Sequence, residues 1–204
     1  MFKALAAAIL LAACLAPRGF QLLPAAMAET GDIWLAIDTR GLTLSVIEGG
    51  NILKTFENIA IGSNGATREK RRLDEKTPLG EFRISSIRTS ERFHLFLAID
   101  YPNMDYARHA LEDRRISPPQ YEALRRAWEN GEPPPQDTGL GGNLGIHGIG
   151  EGSLEIHNNF NWTDGCIAVT NEQLDELARW VQVGTRVSIA QQPDAAPPTS
   201  AARR

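Results

Sequence analysis

The chain of 204 residues carries no excess of basic side chains. Its 21 Lys and Arg stand against 25 Asp and Glu, for a formal net charge of −4. Without a basic cluster it lacks the electrostatic footprint of a nucleic-acid binder, and that class is set aside. Nothing in the pattern repeats, and 204 residues suit one domain with a sizeable core rather than two. The apolar run from Ala4 to Ala16 is 13 residues long, where a membrane span needs roughly 20. There is no H-E-x-x-H and no compact pair of metal-ligand side chains, which counts against a metal-dependent hydrolase; no metal or cofactor is expected. Cysteine is scarce as well, with Cys14 and Cys166 alone.

What is present begins with the N-terminal segment. Lys3 followed by the Ala4 to Ala16 run reads as a secretory signal peptide. Ala26-Met27-Ala28 is an A-x-A cleavage site that makes residues 1–28 the leader. Leu11-Ala12-Ala13-Cys14 competes as a lipobox, in which case Cys14 would be lipidated and would anchor the protein to the membrane. Cleavage after Ala28 is favoured because a leader of 13 residues is very short, although Arg18 sits awkwardly in its c-region. Both readings export the protein to the periplasm or cell envelope. Removal of Cys14 leaves Cys166 unpaired in an oxidising compartment. It is then a reactive thiol, half of an intermolecular disulfide, or a small buried hydrophobe.

From Asp32 the hydrophobic pattern has period two. Trp34 to Asp38, Leu42 to Val46 and Ile52 to Ile61 read as three strands separated by Thr39-Arg40-Gly41 and Gly49-Gly50-Asn51, a β-meander signal. Phe82 with Ile84, His94 to Ile99 and Arg186 to Ala190 read as further strands. Ser117-Pro118-Pro119 starts a helix that should pass Trp128 and stop at Asn130-Gly131. A second helix starts at Thr170, which forms a capping box with Gln173 and places Leu174, Leu177, Ala178 and Val181 on one face. The expectation is a mainly-β domain over residues 32–190 with two or three peripheral helices. Residues 191–204, rich in Pro, Ala and Ser, read as a disordered tail. The run 68–76 (REKRRLDEK) reads as a solvated loop, with arginines also suited to hold peptide carboxylates.

Chemistry concentrates in Ile146-His147-Gly148 and Thr163-Asp164-Gly165-Cys166-Ile167. A thiol needs a base because the thiolate is the nucleophile, and His is the side chain suited to that task near neutrality. Gly165 permits a tight turn that frees its N–H and that of Cys166 to face an oxyanion. These are the parts of a Cys/His acyl-transfer site. On spacing alone His157 serves as well as His147, whereas His94 and His109 read as surface or packing residues.

At this point the chain resembles the YkuD-type L,D-transpeptidases of bacterial cell-wall synthesis. Their signature is a His, 14 to 17 residues, then Ser or Thr followed by His-Gly-Cys. Here His147 precedes a gap of 15 residues and Thr163-Asp164-Gly165-Cys166. Thr77-Pro78-Leu79-Gly80-Glu81-Phe82 is similar to the family's TPxGxF segment, and Tyr101-Pro102-Asn103 to its YPN segment. The resemblance implies a β-sandwich or barrel acting on peptidoglycan peptide stems. It implies Cys166 as the nucleophile that forms a thioester, His147 as its base, and Gly165 with Cys166 as oxyanion donors. Tyr101, Asn103, Gly148, Thr163 and Asp164 would then face the substrate, and His157 would be structural.

Two departures stand out. Asp164 occupies the place of the family's second His, and a carboxylate there disfavours a neighbouring thiolate. Activation would lean on His147 as an imidazolium–thiolate pair, or Asp164 would orient an imidazole as a triad member does, or it would point into a loop hydrogen bond. Ala168 replaces an Arg expected near the substrate carboxylate, leaving Arg68, Arg71, Arg72 and Arg108 as candidates. Gly165-Cys166-Ile167-Ala168-Val169-Thr170 looks closer to a divergent branch, some of whose members hydrolyse wall attachments. Two other classes stay open: a zinc hydrolase using His147, His157 and Asp164 or Cys166, and a non-catalytic wall-binding module.

Overall fold

The computed structural model describes residues 31–192. The leader expected over 1–28, and all of the expected tail except its first two residues, lie outside them. Ten strands and four helices follow one another in the order β1 (Trp34–Asp38), β2 (Thr43–Glu48), β3 (Asn51–Glu57), β4 (Ala66–Thr67), β5 (Thr77–Pro78), β6 (Gly80–Ser90), β7 (His94–Ile99), α1 (Met104–Glu112), α2 (Pro118–Glu129), β8 (Gly145–Gly148), α3 (Leu154–Asn159), β9 (Ile167–Val169), α4 (Asn171–Leu177) and β10 (Arg186–Ala190). Eight strands form one mixed sheet in the order β3-β2-β1-β10-β6-β7-β8-β9, and β4 with β5 forms a second, two-stranded one. The fold is mainly β, as the period-two pattern predicts.

β6 is the hinge of the architecture. Its first residues pair with β10 and its remainder with β7, across a register shift between Ile84 and Ser86. A shift of this kind bends a strand, and it lets both halves of the sheet line one core. Leu35, Ile37, Leu44 and Val46 from one half share that core with Ile84, Leu97, Ile146 and Ile167 from the other. The open edges also approach each other. β3 ends at Glu57, and Asn58 turns into the left-handed region at φ 58°. The chain then bridges to β9, with Ala60 and Ala168 exchanging backbone hydrogen bonds of 2.9 and 2.7 Å. The strand expected to continue to Ile61 is therefore broken at Asn58. Its last residues cover the opposite edge and close the sheet towards a barrel, which hides an edge that would otherwise invite pairing.

There are four helices where two or three were expected. α2 starts and stops as its capping residues predict, and α4 starts so, with Thr170 accepting from Gln173 N and the Gln173 side chain accepting from Thr170 N; α4 ends at Leu177, so Ala178 and Val181, expected on its face, lie past its last turn. α1 escapes a periodicity reading because it buries only Tyr106, Ala107 and Ala110. α3 is six residues long, and Leu154 and Ile156 on it are exposed. Among the described residues no helix is long and apolar enough to cross a membrane.

Candidate active site

A four-residue turn delivers Cys166 to the start of β9. Thr163 is buried beneath it, and its hydroxyl donates to the Cys166 carbonyl at 2.6 Å while accepting the Gly165 N–H at 3.1 Å. Gly165 has φ +126°, and a Cβ there would lie 2.6 Å from the Lys76 carbonyl oxygen, so only glycine fits. This corrects the oxyanion role expected of Gly165, whose N–H is already committed to Thr163. The Cys166 N–H has no hydrogen-bond partner among the described residues and remains available.

The register of β8 and β9 decides which side chains meet. The strands are parallel, with Ile146 opposite Ile167 and His147 opposite Ala168. Ile146, Ile167 and Val169 point into the core. Alternation then sends Gly145 and His147 to the other face. Cys166 stands one residue before β9, and extending the register by that residue places it opposite Gly145, diagonal to His147. Its Sγ donates to the Asn143 carbonyl at 3.6 Å, and the side chain is half-buried.

His147 is buried in an aromatic box. The ring centroid of Phe93 lies 4.1 Å away, Phe96 is stacked at 6.0 Å, and Trp162 stands edge-on at 5.7 Å. Gly145 makes the box possible, since a Cβ there would press within 2.8 Å of the Phe96 ring. His147 Nδ1 lies 2.8 Å from the Gly148 carbonyl oxygen. A carbonyl can only accept, so Nδ1 carries the proton and Nε2 keeps the lone pair a base requires. Burial lowers the imidazole pKa to about 4; the Gly148 carbonyl opposes this, and Arg92 and His157 add to it. Burial likewise pushes the Cys166 thiol up to about 11, with the Gly145 backbone and Lys70 pulling down and Asp164 pushing up. Both shifts favour an uncharged thiol and an uncharged imidazole over the imidazolium–thiolate pair expected from the sequence.

The other predicted residues separate cleanly. Asp164 is exposed and lines a cleft of about 290 Å³ with Lys70, Arg72, Gln136 and Asn143. It makes no hydrogen bond to His147, so the orienting group is the Gly148 carbonyl and not a triad carboxylate. Asn103 lines two further grooves, caps α1 by accepting from Tyr106 N at 3.0 Å, and donates to the Glu81 carbonyl. Tyr101 is 1% exposed and its hydroxyl is committed to the Leu140 carbonyl at 3.1 Å. Gly148 and Thr163 are buried and spent on internal hydrogen bonds. Gly148 and Thr163 thus serve the frame, a correction to the substrate role read from motif position, whereas Tyr101 also borders a groove that it shares with Asn103.

Ala168 is fully buried where its strand meets Ala60, so an arginine has no room there. Among the candidate replacements, Arg72 lines the cleft beside Asp164, while Arg68 and Arg108 line a separate groove with Asn103. His157 is buried, and its Nδ1 accepts from Trp162 Nε1 at 3.3 Å. His94 and His109 pair on the surface with Asp175 and Glu112. Among the described residues no three His, Cys, Asp or Glu side chains are grouped to hold a metal ion.

Sequence reasoning missed Phe93, Phe96, Trp162, Lys70 and Asn143. Trp162 directly precedes the Thr163 motif, which is the one signal that pointed to it. Asn143 and Leu144 line both the small cleft and a groove of about 820 Å³ that also includes Phe93, Phe96 and Gln136. Asn143, whose carbonyl accepts from the Cys166 thiol, is thus a wall shared by the two clefts.

Comparison with known proteins completes the picture. No curated protein sequence matches the chain. Among solved structures, the helical cell shape determining protein Pgp2 of Campylobacter jejuni aligns with a TM-score of 0.54 and 19% identity, over 81% of this chain and 50% of that one. Bd1075 of Bdellovibrio bacteriovorus aligns with a TM-score of 0.49 and 19% identity, over 79% and 49%. An L,D-transpeptidase of Xylanimonas cellulosilytica gives 0.46 and 16%, over 80% and 62%. The likeness to Pgp2 is one of fold, and the chain spans about half the length of that structure. The profile of the YkuD family, L,D-transpeptidase catalytic domain, matches residues 32–189, nearly all of the described chain. The chain belongs to the YkuD family of L,D-transpeptidase catalytic domains.

Proposed function

We propose that residues 32–190 form an L,D-transpeptidase that acts on peptidoglycan peptide stems through a thioester on Cys166, after export by the N-terminal leader. The observation that carries this reading is the strand register that sets Cys166 diagonal to His147, with His147 Nε2 holding its lone pair. Because the uncharged form of each group is favoured, proton transfer and attack belong to one step. The Cys166 proton passes to His147 Nε2 as the sulfur bonds to the stem carbonyl carbon. The Cys166 N–H is the backbone donor open to the developing oxyanion. Collapse breaks the C–N bond, and the departing amine takes the proton from His147. An amine of a second stem then attacks the thioester, loses its proton to His147, and returns the thiol. Water in place of that amine would make the protein a hydrolase of wall stems or wall attachments; acceptor access alone separates the two outcomes.

The test is incubation with tetrapeptide-bearing muropeptides, followed by product masses. Loss of the fourth residue and appearance of a 3→3 dimer is the expected result. Released monomers without dimer would establish the hydrolase. No turnover, with stem binding retained, would leave a wall-binding module. Cys166→Ala should abolish turnover while leaving the fold and stem binding intact, and unchanged activity in that variant would exclude a cysteine mechanism.

A further inference from the structure

Lys70 does not belong to the solvated loop its sequence context suggests. It sits in the densest charge run of the chain, yet it is 3% exposed. Its backbone is fixed on both sides, N–H to the Tyr106 hydroxyl at 3.0 Å and carbonyl to the Arg115 guanidinium at 3.2 Å. Its ammonium reaches under the nucleophile turn, where a Cβ on Gly165 would lie 3.1 Å from Nζ. Asp74 pairs with it at 2.7 Å. A lysine is seldom buried without a reason, and one ion pair does not require the pair to sit against Gly165.

We propose that Lys70 is the electrostatic residue of the nucleophile, a fixed cation beside the Gly165–Cys166 peptide that stabilises the Cys166 thiolate. The inference rests on the reading of Cys166 as nucleophile. It supplies what the change from His to Asp164 removes, since a motif that carries a carboxylate beside the thiol needs positive charge from elsewhere. The charged groups around the turn are Lys70 with its partner Asp74 beneath it, Asp164 at its rim, and Arg72 and Glu75 across the small cleft; Arg115 lies behind the Lys70 carbonyl. Of these, Lys70 is the buried cation held against the turn. It touches no substrate and acts on the sulfur by charge.

Alkylation of Cys166 by iodoacetamide tests this without any need for turnover. Rates are followed by peptide mass between pH 7 and 9.5, with folding checked by thermal melts. Lys70→Met should slow alkylation about tenfold at every pH in that range, the effect of a thiol pKa raised by about one unit. A double variant, Lys70→Met with Asp74→Asn, removes the stranded carboxylate and should fold better while still alkylating several-fold more slowly than the parent. Direction is decisive, because a merely structural lysine would loosen the turn on removal and speed alkylation. Unchanged or faster alkylation in either folded variant overturns the role of Lys70 and leaves Cys166 as nucleophile. A parent protein whose Cys166 resists alkylation throughout would overturn the nucleophile reading itself, and this inference with it.

Discussion

The hydroxyl of Thr163 donates to the carbonyl of Cys166 at 2.6 Å, so the turn that presents the thiol is closed from within by a side chain three residues upstream. The same oxygen accepts the Gly165 N–H. Thr163→Val keeps the shape and deletes both bonds, leaving the buried Gly165 N–H unpaired. An unpaired buried polar group costs about 1–3 kcal/mol. Urea unfolding should show a loss in that range, and Thr163→Ser should recover most of it. Equal midpoints for the parent and Thr163→Val would mean that the turn holds without the hydroxyl.

Gly165→Ala attacks the same turn through the backbone. At φ +126° an L side chain is strained by about 1–3 kcal/mol, and its Cβ would also meet the Lys76 carbonyl at 2.6 Å. That neighbour is backbone and yields poorly. The variant should melt below Thr163→Val and lose turnover, because the turn must open to admit the methyl group. A melting temperature equal to the parent's would place the turn in a different conformation from the one described.

How much of this was legible in the sequence depended on the range of the interaction. Thr170 with Gln173 and Ser117 with the prolines after it announced α4 and α2, because a helix cap is written within four residues. The strands facing one core were legible through their alternation. Asn58 was not, since nothing local says that Ile59 to Ile61 will leave β3 for the edge of β9. Lys70 was misread for a related reason: a charge run looks solvated until Asp74, Tyr106 and Arg115 are brought around it by the fold. For the site, motif spacing singled out Cys166 and His147, which the register of β8 and β9 sets diagonal to each other, but it assigned outward roles to Gly148 and Thr163, whose hydrogen bonds turn inward.

Buried neutral histidines make stability depend on pH with a definite sign. Burial lowers the pKa of His147 to about 4 from 6.5, and lowers that of His157 as well. Below about pH 6.5 the unfolded chain takes up protons that the folded chain refuses. The stability they contribute is therefore fully present above about pH 6.5 and is lost as pH falls towards 4, at up to about 1.4 kcal/mol per unit for each histidine. Urea midpoints should fall between pH 7.5 and pH 5.0, and His147→Gln should flatten the dependence. A parent protein equally stable at both values would show that the box admits the imidazolium.

Phe93 tests where the shift of His147 comes from. Its ring is the nearest of the three aromatic groups, at 4.1 Å, and it also lines both the 820 Å³ groove and a pocket on its other side. Phe93→Ala would admit water to one face of the imidazole, and water restores the solvation that burial had removed. Proton NMR titration should then find the His147 midpoint raised from about 4 towards 6.5, with Phe93→Leu in between. The direction matters for chemistry, because an imidazolium has no lone pair and cannot take the thiol proton. The acid limb of the pH–rate profile should move up with the NMR midpoint, and near pH 6 the variant should lose activity that it regains at pH 8. A midpoint that stays near 4 would show that Phe96, Trp162 and the sheet keep the ring dry without Phe93.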